Sequence, residues 1–142
     1  MSDTTLQPVF QIDYLGHTEL HDVYHVVIYP PLASSVEAQA QYKQRVLQGI
    51  AQARSHGRNI WVAVDLSHIT TPQLVQVAYR VGLPFMREPL TIKVYGIEGI
   101  VIKDAATKSL DWLMRHTFKI EFVADRMAAL PPGFVIEGEA TA

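Results

Sequence analysis

A chain of 142 residues is long enough to bury one full core and short for two ordinary domains. Hydrophobic residues at 49% against 18% charged exclude a disordered polypeptide, and a net charge of -2 without a Lys/Arg cluster excludes the electrostatic footprint of a nucleic-acid binder. Cysteine is absent, which rules out disulfides, thiolate nucleophiles, iron-sulfur clusters and Cys-built zinc sites together.

The opening "MSDTTLQPVF" has neither a basic n-region nor a long apolar h-region, and no segment reaches the roughly 18 uninterrupted apolar residues of a membrane span. The expectation is a cytoplasmic protein without a transmembrane segment. Residues 1–8 read as a tail, 9–136 as one folded unit and 137–142 as a frayed end.

"VFQIDYL" alternates, with Phe10, Ile12 and Tyr14 on one side and Gln11 and Asp13 on the other, as a half-buried strand requires. "DVYHVVIYPP" is a second β-branched and aromatic run that Pro30-Pro31 stops, and the short link "GHTELH" predicts a hairpin between the two. Ser34 and Glu37 then form a Ser-x-x-Glu capping box opening a helix to about His56, with Val36, Ala40, Leu47, Ile50 and Ala51 as its apolar stripe. "NIWVAVDL" is nearly continuous apolar sequence, the composition of a central parallel strand covered on both faces.

Thr71 and Pro72 suit an N-cap and first turn, and Leu74, Val75, Ala78 and Val81 follow at helical spacing until Gly82 and Pro84. "LTIKVYGI" predicts another strand, "GIVIKDAATKSLDWLMRHT" a long helix and "KIEFV" a last strand. Asp125 caps a short helix through Leu130, which Pro131-Pro132-Gly133 ends. The order β-β-α-β-α-β-α-β-α predicts an α/β fold: a mostly parallel sheet of about five strands with an N-terminal hairpin and helices on its faces.

In such a sheet the chemistry is sought at the carboxyl ends of the strands, where "DLSHITTP" falls. Asp65 there invites a phosphoacceptor reading, but the acidic partners and strand-end lysine it needs are missing, since Asp13 and Lys93 lie within strands. Hydrogen bonding to the backbone of the next loop accounts for Asp65 more simply. Ser67 and His68 are adjacent and no Gly-x-Ser-x-Gly elbow exists, so no local triad is expected and no catalytic residue is assigned.

His17, His21 and His25 have four-residue spacing, but on a strand that places neighbours about 13 Å apart, too far to share an ion; no metal and no cofactor is expected. His56 and His116 suit helix C-termini. Gly96 and Gly99 precede a helix and form a candidate ligand-contacting turn without matching any nucleotide motif. Leu83, Phe85 and Met86 form an apolar loop flanked by Pro84 and Pro89, a candidate partner surface or gate.

"WVAVDLSHI", followed by a helix, resembles the central strand and turn of STAS domains, the fold of the sporulation anti-sigma-factor antagonists. The stretch from "IKVYGIEGI" to "FVADRMAAL" resembles the second half of bacterial STAS/SEC14-like proteins, whose closing helix begins with Asp and ends in Ala-Leu, here Asp125, Ala129 and Leu130. The resemblance spans about residues 9 to 130 and implies a cytoplasmic domain, without cofactor, that works by binding another protein. In the antagonists a serine after this strand is phosphorylated. Here "HITTPQL" replaces the expected Asp-Ser-Ser-Gly, leaving Thr70 and Thr71 as candidate phosphoacceptors.

The leading expectation is a non-enzymatic regulatory or scaffold domain that binds a protein partner through Asp65, Ser67, His68, Thr70, Thr71, Leu83, Phe85 and Met86. The alternative is a binder of a small apolar or lipid-like ligand gated by "GLPFM", and a third is an enzyme in which a distant His or carboxylate meets Asp65 or Ser67. A hairpin edge that pairs two copies would make a homo-oligomer.

Overall fold

The computed structural model describes residues 9–77, 80–81, 90–96 and 120–134. Two strands, β1 (Phe10–His17) and β2 (His21–Ile28), form the antiparallel hairpin. Two helices follow, α1 (Pro31–Ser34) and α2 (Val36–Ser55), then β3 (Asn59–Asp65), α3 (Thr71–Val77), β4 (Leu90–Tyr95), β5 (Ile120–Phe122) and α4 (Arg126–Ala129). The five strands lie in sequence order, with β2, β3, β4 and β5 mutually parallel. This is an α/β fold with a mostly parallel five-stranded sheet and an antiparallel hairpin at its N-terminal end. Among the described residues no helix is long and apolar enough to cross a membrane.

Strands laid down in sequence order move each crossover the same way, and right-handed crossovers of that kind put their helices on one face of the sheet. The side chains agree. Val26, Ile28, Ile60, Val62, Val64 and Val94 on one face join Leu32, Tyr42, Ile50 and Leu74 of the helices in one buried cluster. The opposite face carries a smaller cluster, in which Val23 and Ala63 meet Ala129 and Leu130 arriving after β5. The indole of Trp61 on that face donates to the Ala129 carbonyl at 2.7 Å and fixes α4 against β3.

Three local readings need correction. The residue that caps α2 is Ser35, whose hydroxyl accepts from the Ala38 amide at 3.1 Å; Ser34 instead closes α1. The N-cap lies one residue later because Pro31 starts its own helical turn, and with Ala38 in the fourth place no reciprocal capping box forms. The buried stripe of α2 is Ala38, Tyr42, Val46, Gly49, Ile50 and Ala53, whereas Val36 is 76% exposed, Leu47 is 39% exposed and Ala40 and Ala51 also face outward. Small residues let the helix sit close to the sheet, and Tyr42 fills space beside Phe10, ring to ring at 5.4 Å. Third, Thr70 caps α3, not Thr71: its hydroxyl accepts from the Gln73 amide at 3.4 Å while Gln73 Oε1 accepts from the Thr70 amide at 2.8 Å, a reciprocal box with glutamine in the fourth place.

The hairpin also bends. Pairing slips between Tyr14 and Gly16, so that Leu15 leaves the alternation and is buried on the opposite face beside Val23. Asp125 caps α4 through its carboxylate, which accepts from the Ala128 amide at 2.9 Å. The long helix expected over residues 99–117 and the loop with Leu83, Phe85 and Met86 lie outside the described residues, as do both tails.

Candidate functional site

Three strands end together. β2 ends at Ile28, β3 at Asp65 and β4 at Tyr95, and the parallel register sets Val27 beside Asp65 and Asp65 beside Tyr95. The corner after β3 is held by its own hydrogen bonds. Asp65 Oδ1 accepts from the Ser67 amide at 2.8 Å, the Leu66 amide donates to the Tyr95 carbonyl at 2.9 Å, and the Ile69 amide donates to the Leu66 carbonyl at 3.2 Å. An Asp at this position is favoured because its short carboxylate turns the chain back on itself two residues on.

Gly96 completes the corner. With φ of +90°, it brings its Cα so close that an added Cβ would meet Asp65 Oδ1 and the Ser67 nitrogen at 2.9 Å. The glycine is therefore a packing partner of the Asp65 turn, and Gly99 lies outside the described residues. Leu66 and Leu74 bury beneath the corner, while Ser67, His68 and Thr70 are exposed. His68 is not loose, since its ring stacks on Tyr29 at 4.8 Å and links the end of β2 to the corner. Ser67 and His68 share no hydrogen bond with each other among the described residues.

A pair that sequence order conceals lies on the face of the sheet opposite α2. His25 of β2 and Tyr95 of β4 are separated by β3, yet both point to the same face because their register partners there, Ala63 and Asp65, are two residues apart. Their side chains meet at Nε2 and the phenol oxygen, 2.5 Å apart. Burial pushes the Tyr95 phenol up from its usual 10, Asp65 adds to that, and Arg126 opposes it. Burial, with Arg126 nearby, holds His25 below the usual 6.5, and Asp65 and Asp13 only partly offset it. The only signals in the sequence were the even spacing of His21 and His25 and a Tyr at a strand end.

Lys93, Glu121, His21 and Trp61 on that face are in mutual contact. Lys93 contacts Glu121 at 2.5 Å and lies 5.6 Å from the Trp61 ring centre, and His21 meets the edge of Trp61 at 5.4 Å. Lys93 thus sits mid-strand beside an acid. His17, His21 and His25 fall on the hairpin, His17 exposed, and among the described residues no group of three His, Cys, Asp or Glu is placed to hold a metal ion.

The His25 environment carries a pH dependence. Its folded value lies below its unfolded one, and burial lowers His21 in the same direction, so between those values the unfolded chain binds more protons and stability rises with pH. The contribution is complete above the unfolded value near 6.5 and is lost as acid approaches the lowered folded value. Urea midpoints measured from about pH 7.5 down to about pH 5 should fall, and the fall should shrink in His25→Gln. A His25→Gln variant with an unchanged slope would show that this histidine is not held neutral.

Comparison with protein-family models, with curated proteins and with solved structures finds no match to this chain.

Proposed function

We propose that this protein is a non-enzymatic regulatory or scaffold domain of STAS-like type that binds a protein partner through the corner after β3. The observation that supports this reading is the corner itself. Exposed Ser67, His68 and Thr70 are carried on a turn braced by Asp65, Leu66, Tyr95 and Gln73. A surface already fixed in shape loses little freedom on association, which is what a recognition loop requires. The Thr70 hydroxyl is engaged as a helix cap, and a phosphate placed there would exchange that cap for a charge at the start of α3.

The test is site-specific photocrosslinking in cells that make the protein, with the crosslinker in place of His68 and, as a control, of exposed Gln44 on α2. The expected result is a discrete protein adduct at position 68 that is absent at position 44 and weakened by Ser67→Arg. Equal adducts at both positions, or none, would reject the reading. A lipid co-purifying without any protein adduct would favour the alternative of a small apolar ligand.

A second reading, acid-base chemistry, has one observation in its favour: His25, Tyr95 and Asp65 influence one another near the carboxyl ends of the strands.

A further inference from the structure

Away from the corner, the hairpin and α2 enclose a cleft of about 460 Å³. Its walls come from β1, β2, the second half of α2 and Arg58 at the entry to β3. Two cations face it, Arg45 and Arg58. Asp22, the one buried charged residue among those described, is 3% exposed and accepts from Arg58 at 3.1 Å. That single contact uses one of five guanidinium donors and holds the group in place. Arg45 has no carboxylate partner among the described residues, so as those residues build it the cleft carries one uncompensated positive charge.

The other surfaces of the cleft are flat or amide-bearing. The Tyr24 ring lies against α2 at Gly49, where an added Cβ would stand 3.4 Å from it, in ordinary van der Waals contact. Tyr14 meets that ring edge-on at 5.4 Å, and Gln48 and Gln52 line the helix side. Beneath, Ile12, Val26, Val46 and Val62 enclose an apolar recess of about 20 Å³, room for a methyl group or one water. A cleft of several hundred cubic ångströms, lined by the Tyr14 and Tyr24 rings and by convergent charged and amide side chains, has the size of a small-molecule site and the polarity suited to a charged ligand.

We infer that this cleft binds a small organic anion, a carboxylate or phosphate ester with an apolar or aromatic body, its charged group shared by Arg45 and Arg58 and its body laid on Tyr24. The guanidinium is suited to this task because its planar fork matches the two oxygens of either group. Arg58, anchored by Asp22, supplies a fixed donor; Arg45, on the exposed helix surface, closes over the ligand. The site is independent of the corner after β3, so its test and that of partner binding succeed or fail separately.

The experiment is titration of the full chain, isotopically labelled for amide and arginine side-chain resonances, with benzoate, phenyl phosphate and inorganic phosphate, and with benzyl alcohol as the neutral analogue. Saturable shifts at Gly49, Gln52 and Arg58 are expected with benzoate or phenyl phosphate, and whichever binds names the charged group. Affinity should fall at least about tenfold in Arg45→Gln, the loss expected of one charge-assisted contact, while Arg45→Lys should retain part of it. Arg45 is exposed, so these variants are expected to fold as the parent does. Four results would each overturn the inference: no saturable shift with either aromatic anion, equal binding of benzyl alcohol, equal binding of inorganic phosphate, or undiminished affinity in Arg45→Gln.

Discussion

Gly96→Ala should lower stability by about 3 kcal/mol, the sum of a backbone penalty and a collision. At φ of +90° any residue with a Cβ is strained, which costs about 1–2 kcal/mol. The new carbon would also press on Asp65 Oδ1 and on the Ser67 nitrogen at 2.9 Å, and neither can retreat without breaking the bond between them. Gly57→Ala provides the control, because Gly57 has φ of +73° but nothing within 4 Å of its missing Cβ. It should lose only the backbone part, about 1 kcal/mol. Denaturant melts of the two variants separate strain from contact. Equal losses would show that Gly96 does not pack on the Asp65 turn, and the braced corner would lose its keystone.

The second large effect concerns α1. Four residues cannot sustain a helix alone, since nucleation fixes several residues before any hydrogen bond repays it. This turn exists because Leu32 is completely buried against α2 and α3, and because its carbonyls are taken up: Gln39 Nε2 donates to Leu32 O at 2.9 Å and Arg80 donates to Ala33 O at 3.1 Å. Leu32→Ala should therefore cost about 3 kcal/mol, the usual range for a buried leucine being about 2–5 kcal/mol. Leu32→Met keeps the volume and should cost less than about 1.5 kcal/mol. Thermal melts should place the alanine variant roughly 10 °C below the parent. A shift of only one or two degrees would mean that α1 is not part of the cooperative core.

The two effects mark the two sides of what could be read from residues alone. Gly96 was visible as a turn residue after a strand, but not as the neighbour of Asp65, because the two lie 31 positions apart in the chain and meet only when β3 and β4 pair. Pro30-Pro31 was visible as the end of a strand, but not as the start of a helical turn, since four residues carry no periodicity to detect. The stripe on α2 was misplaced for a different reason. Val36 and Leu47 are more apolar than Ala38 and Gly49, yet the face that meets the sheet mixes Ala38, Gly49 and Ala53 with Tyr42, Val46 and Ile50, a choice imposed by shape and not by hydropathy alone.

The candidate site follows the same division. Asp65 as a turn-former was legible from its place between an apolar strand and two hydroxyl residues, and the structure contains that bond. The His25–Tyr95 contact was not, because it spans 70 positions and crosses the intervening β3. The Asp22–Arg58 pair facing the cleft was equally hidden, with 36 positions between its members.

Alternation of side chains and helical period, both properties of neighbouring residues, sufficed to determine five strands, a mostly parallel α/β sheet, the hairpin and three helix N-caps to within a residue. Which side chains meet across the sheet, which face of α2 turns inward and where a cleft opens depend on register and packing between distant segments. Those were decided only when the chain closed on itself, because the free energy of such contacts exists only between partners that tertiary structure has brought together.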